Sequence, residues 1–322
     1  VGLYKTVARR RTAMIREDEV RQTSTAAFAQ SEIEWSRVLR TTFGVRGDLY
    51  HFNVLASDAR NSGTDTAGVL SPKVSAVFGP WHETEIYLNT GLGFHSNDAR
   101  GATITVDPVT GQPTDRVTPL PRARGAEFGV RTIPRPGVQI TASLWTLGLE
   151  SEQLYIGDIG TTEAGRPTRR FGVEWTNSVS VARWITLDAD ISLSRARFTD
   201  DDPVGDRVPG AVDRVISAGV SIEPEQRMFG SVRLRHFGPR ALVEDDSVRS
   251  NATTLLNGEL GYRFSDRTHL VLEVFNLLDR QVSDIDYFYT SRLSGEPPGG
   301  VDDVHTHPSV PRTARLTLRV GF

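Results

Sequence analysis

Apolar and polar residues alternate strictly along most of this chain, and this alternation defines its secondary structure. The last segment shows the pattern in full: one face takes Ala314, Leu316, Leu318, Val320 and Phe322, and the other takes Thr313, Arg315, Thr317, Arg319 and Gly321. The same period recurs near 85–94, 185–194, 228–235 and 256–264. A two-residue period places alternate side chains on opposite faces of a β-strand, whereas a helical period of about 3.6 residues is hardly visible. The pattern predicts an all-β protein.

The alternating segments number about fourteen, and their connections alternate between two lengths. The predicted strands run near 3–14, 23–36, 38–54, 69–79, 82–98, 121–134, 137–157, 167–181, 184–200, 209–223, 226–239, 250–264, 267–282 and 311–322. Short turns join them at 36–37, 80–81, 133–136, 182–183, 223–225 and 265–267. Longer polar loops lie at 55–68, 99–120, 158–166, 200–208, 240–249 and 283–310. An antiparallel meander with tight turns at one rim and long loops at the other is typical of a transmembrane β-barrel.

The two faces of such a sheet would meet lipid and an enclosed lumen. The polar face carries charges of both signs, such as Glu85 and Arg233, which fit a wide, wet or plugged interior. Closing the sheet into a barrel would give every backbone N–H and C=O group a partner, which is necessary because hydrocarbon cannot form hydrogen bonds. Trp35, Trp81 and Trp184 lie beside short turns, which is typical of an aromatic girdle at one membrane interface.

The composition of the 322-residue chain excludes several classes of protein. It has no cysteine, which rules out disulfides and thiolate metal sites. No stretch approaches the roughly 18 consecutive apolar residues of a membrane helix. A formal net charge of −3 gives no reason to expect nucleic-acid binding. A soluble propeller, sandwich or solenoid is the alternative to the barrel, but we find no blade-like repeat. We expect no cofactor.

Four segments near the C-terminus are the most distinctive part of the chain. They are LVLEVFNLLDRQ at 270–281, DIDYFYTSRLSGEP at 284–297, GVDDVHTHP at 300–308 and PRTARLTLRVGF at 311–322. Together they resemble the end of TonB-dependent outer-membrane receptors, and Phe-Asn-Leu-Leu-Asp at 275–279 is similar to the motif of their penultimate strand. GLYKT near the start and FGVRGDLYHF at 43–52 also look like this group, while the rest of the chain agrees in architecture.

The resemblance implies uptake of a scarce ligand through a barrel of about 22 strands, with energy from TonB in the inner membrane. It implies as partners a plug domain, TonB, the β-barrel assembly machinery, outer-membrane lipid and a small-molecule ligand that the sequence does not identify. The closing strand is similar to the signal that the assembly machinery reads, which would comprise Leu316, Leu318, Val320 and Phe322. The implied location is the bacterial outer membrane, with the C-terminus in the periplasm.

The sequence departs from the family pattern in two ways. It shows no plug domain and no TonB box, and it has room for about fourteen strands. We therefore expect residues 1–322 to form part of a barrel domain, with the plug and the early strands outside this chain. One alternative is a complete fourteen-stranded passive pore, in which the strand near 3–14 pairs with 311–322. Another is a barrel with a hydrolase site at its rim.

The hydrolase alternative requires a nucleophile, a base and an acid close together at the outer rim. The sequence contains neither a Gly-x-Ser-x-Gly elbow nor an HExxH motif. His95 and His236 would lie near the outer ends of strands, beside loop carboxylates, but nothing in the sequence pairs them with a nucleophile. We therefore expect no enzymatic activity.

The longest loop, 283–310, carries two groups of candidate binding residues. The predicted ligand contacts are Tyr287, Phe288, Tyr289 and Arg292. Aromatic rings beside an arginine form a common recognition surface. The predicted metal ligands are Asp302, Asp303, His305 and His307. Carboxylates and alternate histidines could converge on a hard or borderline metal ion. The alternative for both groups is a structured extracellular loop, because the Pro and Gly residues of GEPPGG at 295–300 fix turns.

Overall fold

Strands make up most of the structure. The computed structural model describes residues 2–7, 10–108, 110–156, 161–224 and 227–321, so the predictions at 8–9, 157–160, 225–226 and 322 lie outside it. Its strands are β1 (Gly2–Val7), β2 (Arg10–Glu17), β3 (Glu19–Ser36), β4 (Leu39–Leu55), β5 (Gly63–Trp81), β6 (Thr84–Phe94), β7 (Arg122–Arg135), β8 (Val138–Leu149), β9 (Gln153–Ile156), β10 (Thr161–Ala164), β11 (Thr168–Ala182), β12 (Ile185–Phe198), β13 (Arg214–Ile222), β14 (Met228–Phe237), β15 (Thr253–Ser265), β16 (Thr268–Phe275), β17 (Ser283–Ser291), β18 (Val301–Pro308) and β19 (Thr313–Val320). The predicted all-β class is confirmed.

Helices are short and few in the described residues. They are a 3-10 helix at Ala59–Asn61 and a single α-helix, α1, at Ala99–Thr103. Neither approaches the length that a membrane-spanning helix needs. Both lie in long loops, at the same rim of the sheet.

Thirteen strands form one antiparallel sheet. Strands β3 to β8, β11 to β16 and β19 follow one another in chain order, each pairing with the next. Tight turns join β3 to β4, β5 to β6, β7 to β8, β11 to β12 and β15 to β16 at one rim, and the long loops lie at the other. In the described residues β3 and β19 each have one neighbour, so the sheet is open at these two edges. This is the predicted meander of a transmembrane barrel.

The prediction of one continuous strand near 3–14 is wrong. Strands β1 and β2 pair with each other in a separate hairpin. The hairpin lies at the long-loop rim, where the backbone N–H of Glu17 donates to Ser57 Oγ in the β4–β5 loop (3.1 Å). The segment RRTAMIRE of β2 carries charges at both ends, which suit water better than hydrocarbon. The predicted pairing of 3–14 with 311–322 is also wrong, because within the described chain β1 and β2 pair only with each other, and β16 is the one neighbour of β19.

Two further hairpins stand at the long-loop rim. The predicted strand 137–157 is too long, because β8 ends at Leu149 and β9 then pairs with β10. The predicted loop 283–310 contains β17 and β18, which pair with each other. A hairpin outside the membrane has water on both faces, so its sequence lacks the strong alternation that the sheet strands show.

One face of the sheet is apolar and exposed. A single register row crosses β12, β11, β8, β7 and β6 at Leu193, Val173, Leu144, Phe128 and Leu88. Each of these five side chains is between 45% and 55% exposed. An apolar band of this kind, in register on strand after strand, is the lipid-facing belt of a membrane barrel. We call this face the outward face and the opposite one the lumen face.

The buried core lies at the long-loop rim. Its larger cluster consists of Phe52, Val54, Val69, Ala99 and Leu120, and a smaller one consists of Ala196, Phe198 and Val208. The loop between β6 and β7 contributes Ala99 and Leu120, and therefore packs over the lumen face at the outer ends of β4 and β5. Asn61 holds this loop, because its side-chain amide donates to Val106 O (2.7 Å) and its Oδ1 accepts from Val106 N (2.9 Å). One long loop is thus folded inward and fixed by packing and hydrogen bonds.

Candidate functional site: the lumen face and the long-loop rim

The lumen face is polar, and several of its charges are paired across strands. Glu85 on β6 lies between Arg131 on β7 and Arg40 on β4. Arg40 Nη2 donates to Glu85 Oε1 (2.8 Å), and Arg131 Nη2 donates to Glu85 Oε2. The two arginines lower the free energy of a carboxylate that the sheet partly shields from water. The three residues form one charged cluster on the lumen wall, in which Glu85 and Arg131 are direct cross-strand neighbours and Arg40 belongs to the row of Tyr87.

Other lumen residues also contact each other across strands, through charged or neutral donors. Arg315 on β19 makes two hydrogen bonds to its cross-strand neighbour Glu273 on β16 (both 2.8 Å). Tyr87 Oη and Asn89 Nδ2 donate to the two carboxylate oxygens of Glu127 (3.1 and 3.2 Å). Opposite charges that face each other across a sheet stabilise its register. The resulting wall is hydrophilic and carries both signs of charge, which suits a solvated or plugged lumen.

Arg166 ties three of the long connections together. Its Nε and Nη2 donate to the Asp200 carboxylate beyond β12, and its Nη1 donates to Glu244 Oε2 in the β14–β15 loop (2.6 Å). The guanidinium also lies 4.2 Å from the ring centroid of Phe198. The hydrogen bonds to Asp200 raise the pKa of Arg166, and Arg166 lowers the pKa of Asp200. These contacts hold the loops in one arrangement above the sheet.

A polar cavity of about 280 Å³ lies at the same rim, between the β1–β2 hairpin and the loops after β4 and β6. Arg16, Arg60 and Arg100 line it together with Asp18 and Asp58. Burial lowers the pKa of Arg16, with Arg100 acting in the same direction. The Arg16 Nε atom is buried without a hydrogen-bond partner in the described structure. The charges of both signs would favour a small polar solute over an apolar one.

The predicted aromatic contacts lie on the β17–β18 hairpin, on two different faces. Tyr287 and Tyr289 share one face, and Phe288 lies on the other, opposite Val304. The ring of Tyr289 stacks on His305 with 3.8 Å between centroids and 16° between planes. Arg292 lies in the hairpin turn, where its Nε donates to Glu296 O (3.3 Å). The four predicted residues therefore do not lie on one face, and the stacked pair on this face is Tyr289 with His305.

The predicted metal ligands are also divided between the two faces. Asp303, His305 and His307 alternate along one face of β18, and Asp302 lies on the other, where Thr290 Oγ1 donates to it. His307 Nδ1 lies 3.8 Å from an oxygen of Asp284. In the part of the chain that the structure describes, no three His, Asp or Glu side chains converge as a metal site would require. A metal site on this hairpin stays a prediction.

The remaining predicted residues lie at separate places. Leu316 and Leu318 are exposed on the outward face of β19, and so is Val320 near its end, while Phe322 falls outside the described residues. His236 contacts Thr254 on the outward face (2.8 Å). In the described structure neither His95 nor His236 is hydrogen-bonded to a carboxylate, so no triad geometry is present.

Sequence reasoning missed the residues that organise the loops. Arg166 lies in a polar stretch, and its partners Asp200 and Glu244 are 34 and 78 residues away. Asn276, in the predicted family motif, is only 1% exposed and holds the turn after β16 through its side chain. The motif could have indicated the importance of Asn276, but no local signal indicates the contacts of Arg166.

An apolar outward face, a charged lumen face with several ion pairs, and long loops at one rim define the wall of a membrane β-barrel. Over residues 6–277 the chain matches the family model described as TonB dependent receptor-like, beta-barrel. The chain therefore belongs to the TonB-dependent receptor β-barrel family, whose members are outer-membrane β-barrels. The predicted resemblance is confirmed. Among curated proteins none matches the chain.

Solved structures of the same architecture cover the chain almost completely. The ferric-catecholate import receptor Fiu from E. coli K12, in its closed form, matches with a TM-score of 0.74 and 16% identity, over 95% of this chain and 45% of Fiu. The ferric yersiniabactin uptake receptor FyuA from Yersinia pestis matches with a TM-score of 0.73 and 18% identity, over 96% of this chain and 48% of FyuA. The copper transporter OprC matches with a TM-score of 0.73 and 15% identity, over 100% of this chain and 51% of OprC. The chain thus spans about half the length of these structures, and the likeness establishes the fold.

Proposed function

We propose that this chain forms part of the barrel wall of a receptor that takes up a scarce solute across the outer membrane with energy from TonB. The observation that carries the proposal is the difference in polarity between the two faces of the same strands. The row through Leu193 and Phe128 is apolar and exposed, whereas the lumen row through Glu85 is charged and paired. A wall with these two faces separates lipid from a hydrophilic passage.

Residues 1–322 would then be a partial barrel domain, and a plug domain from sequence outside this range would fill the lumen. The paired charges of the lumen face give such a plug a hydrophilic surface to contact. TonB would act on the plug from the periplasmic side, where the tight turns and the C-terminus would lie. The assembly machinery would read Leu316, Leu318, Val320 and Phe322 at the end of the chain.

Ligand capture would take place at the long-loop rim. The face of the β17–β18 hairpin that carries Tyr287, Tyr289 and His305 would contact the ligand, with Arg292 in the adjoining turn. On the same face, Asp303, His305 and His307 would be the side chains available to a metal that arrives as part of the ligand. Fiu, FyuA and OprC are described as carriers of ferric or copper species, so a metal complex is the first solute class to test.

The decisive experiment measures uptake in cells. Deletion of the gene should abolish accumulation of one of three probes: a radiolabelled ferric catecholate, ferric citrate or Cu²⁺. Loss of TonB should abolish the same uptake, because the barrel would be closed by its plug in the absence of energy. Uptake that needs the gene but continues without TonB would support the passive-pore alternative instead.

A further inference from the structure

A group of arginines lies on the outward face, just beyond the apolar belt. Arg124 on β7, Arg169 on β11 and Arg197 on β12 belong to one register row, in which β8 contributes Gly148. This row lies four residues nearer the long-loop rim than the row of Leu193. Because side chains alternate along a strand, an even separation places the arginines on the same outward face.

Three more arginines extend the group, which we call the outward arginine patch. They are Arg122, Arg195 and Arg214. Arg122 is two residues beyond Arg124 on β7, Arg195 is two residues beyond Leu193 on β12, and Arg214 on β13 pairs directly with Leu193. The patch thus spans β7 to β13, and five of its six arginines are exposed, with Arg197 half-buried.

Carboxylates are scarce around the patch. Below it, the outward positions of 126–132, 140–146, 171–179 and 187–193 contain no acidic residue. Arg197 pairs with Asp206, and Glu150 accepts a hydrogen bond from the backbone of Arg122 (2.9 Å). In the described structure Arg124, Arg169, Arg195 and Arg214 make no ion pair. A cluster of unneutralised guanidinium groups on one surface attracts an anion.

The patch adjoins an open groove of about 620 Å³. Its lining on the outward face includes Arg124 and Arg169 with the apolar Val74 and Leu92, while Lys73, which also lines it, belongs to the lumen positions of β5. Gly148 keeps the groove open between the two arginines, since a Cβ there would lie 3.3 Å from Arg124 Nε. The groove therefore joins a cationic end to an apolar surface, which is the arrangement that an acyl chain with an anionic head group requires.

The depth of the row of Arg124, Arg169 and Arg197 fits the head groups of a membrane, whereas Arg214 shares the register row of Leu193 and extends the patch toward the belt. Four residues of strand correspond to about 13 Å, so the row of Arg197 lies about 13 Å along the strand from Leu193. An arginine at the bilayer midplane of a barrel costs about 2–4 kcal/mol, but close to the interface this falls to about 0–1 kcal/mol. At this level the forked guanidinium can bind a phosphate with two hydrogen bonds.

We propose that the outward arginine patch binds the phosphate groups of an anionic lipid in the leaflet on the long-loop side, with an acyl chain in the adjoining groove. The partner is a lipid rather than a free anion because the groove continues the apolar belt. The lipid is phosphorylated because the six arginines have few carboxylates around them, so their positive charge needs an anionic partner such as phosphate. The lipid would hold the long-loop ends of β7 to β13 at a fixed height in the membrane.

The test uses the intact gene product in phosphatidylcholine nanodiscs, titrated with lipid A, which carries two phosphates on an acylated disaccharide. The double variant R124Q/R169Q should weaken lipid A binding about tenfold or more, because it removes two phosphate contacts. The matched control R135Q/R183Q removes the same charge from exposed arginines at the tight-turn rim and should change binding less than about twofold. Heat-modifiable migration on gels reports whether each variant is folded.

A second measurement needs no variant. Lipid A stripped of its phosphates keeps its acyl chains, and the wild-type protein should bind it about tenfold more weakly. Equal binding of the stripped lipid, or of lipid A by R124Q/R169Q, would overturn the proposal. Displacement of lipid A by an equal concentration of inorganic phosphate would also overturn it, because the site would then serve a free anion.

Discussion

Arg233 and Asp188 form a two-pronged ion pair across an intervening strand, and they can do so because Gly219 lies between them. Arg233 Nη1 lies 2.9 Å from Asp188 Oδ2, and Nη2 lies 3.1 Å from Oδ1. The three residues occupy one lumen row on β14, β13 and β12. A Cβ at position 219 would lie 2.8 Å from Asp188 Oδ1 and 3.0 Å from Arg233 Nη2. A side chain there would compete with the ion pair for the same space.

The variant Gly219→Ala should therefore weaken this ion pair. We expect it to lower the free energy of unfolding by about 1 kcal/mol relative to Gly125→Ala, measured by urea titration in lipid vesicles. Gly125 is the matched control, because a Cβ there would have its nearest neighbour at 3.8 Å. Equal unfolding free energies for the two variants would show that Gly219 is not needed for the pair.

Asn276 should be among the residues least tolerant of substitution. Its backbone has φ +50°, and its side chain donates to Arg280 O (2.9 Å) and Val310 O (3.2 Å) and accepts from Arg280 N (3.0 Å). Asn276→Ala leaves these backbone groups without partners in a buried turn. We expect it to lower the free energy of unfolding by about 3 kcal/mol, measured by the same titration.

Two variants separate the causes of this effect. Asn276→Gly tolerates the positive φ but still loses the hydrogen bonds, so it should be about 1 kcal/mol less damaging than Asn276→Ala. Asn251→Ala, at an exposed position in the β14–β15 loop, should have almost no effect. If Asn276→Ala unfolds at the same urea concentration as the wild type, the hydrogen bonds of Asn276 do not stabilise the turn.

The alternation of the sequence predicted strands well where the two faces of a strand meet different surroundings. Ile185 to Leu193 lie on such a stretch, and β12 is found there. At the outer end of β3, the outward positions are the charged Glu19 and Arg21, so no lipid-facing apolar alternation marks this part, and the strand was predicted to begin near 23 instead of at Glu19. The hairpins β1–β2 and β17–β18 were missed for the same reason. The pattern shows that a segment is extended, but not with which segment it pairs.

The candidate site was less predictable than the fold. The residue types of the β17–β18 hairpin pointed to a binding surface, but only the register shows that Phe288 and Asp302 lie on the face opposite Tyr289 and His305. Arg166 contacts residues 34 and 78 positions away. Such contacts depend on the paths of several loops, and no local sequence pattern records those paths.

Acid should loosen the loops that Arg166 holds. Because Arg166 lowers the pKa of Asp200 in the folded protein, this ion pair stabilises the loops above the ordinary aspartate pKa. The stabilisation is lost as the pH falls through the lowered pKa, below about pH 4. Hydrogen exchange should therefore show that 199–213 loses protection at pH 3 relative to pH 6, after correction for intrinsic exchange.

The same measurement on two variants assigns the effect. Asp200→Asn should show weak protection of 199–213 already at pH 6, because the charge is absent at every pH. Asp201→Asn changes the neighbouring exposed aspartate and should behave like the wild type. A wild-type loop whose protection does not change between pH 6 and pH 3 would contradict this role of Asp200.

Ligand binding should depend on one face of the β17–β18 hairpin and not on the other. Tyr289→Ala removes the ring that stacks on His305, and Phe288→Ala removes a ring of similar size from the opposite face. With the ferric catecholate as probe, we expect Tyr289→Ala to weaken binding about tenfold, or about 1.4 kcal/mol, and Phe288→Ala to leave it unchanged.

With Cu²⁺ as probe, the metal prediction requires that His305→Ala and His307→Ala lose copper binding and that Tyr289→Ala retains it. Equal losses for Tyr289→Ala and Phe288→Ala would mean that the hairpin acts through its folding rather than through this face.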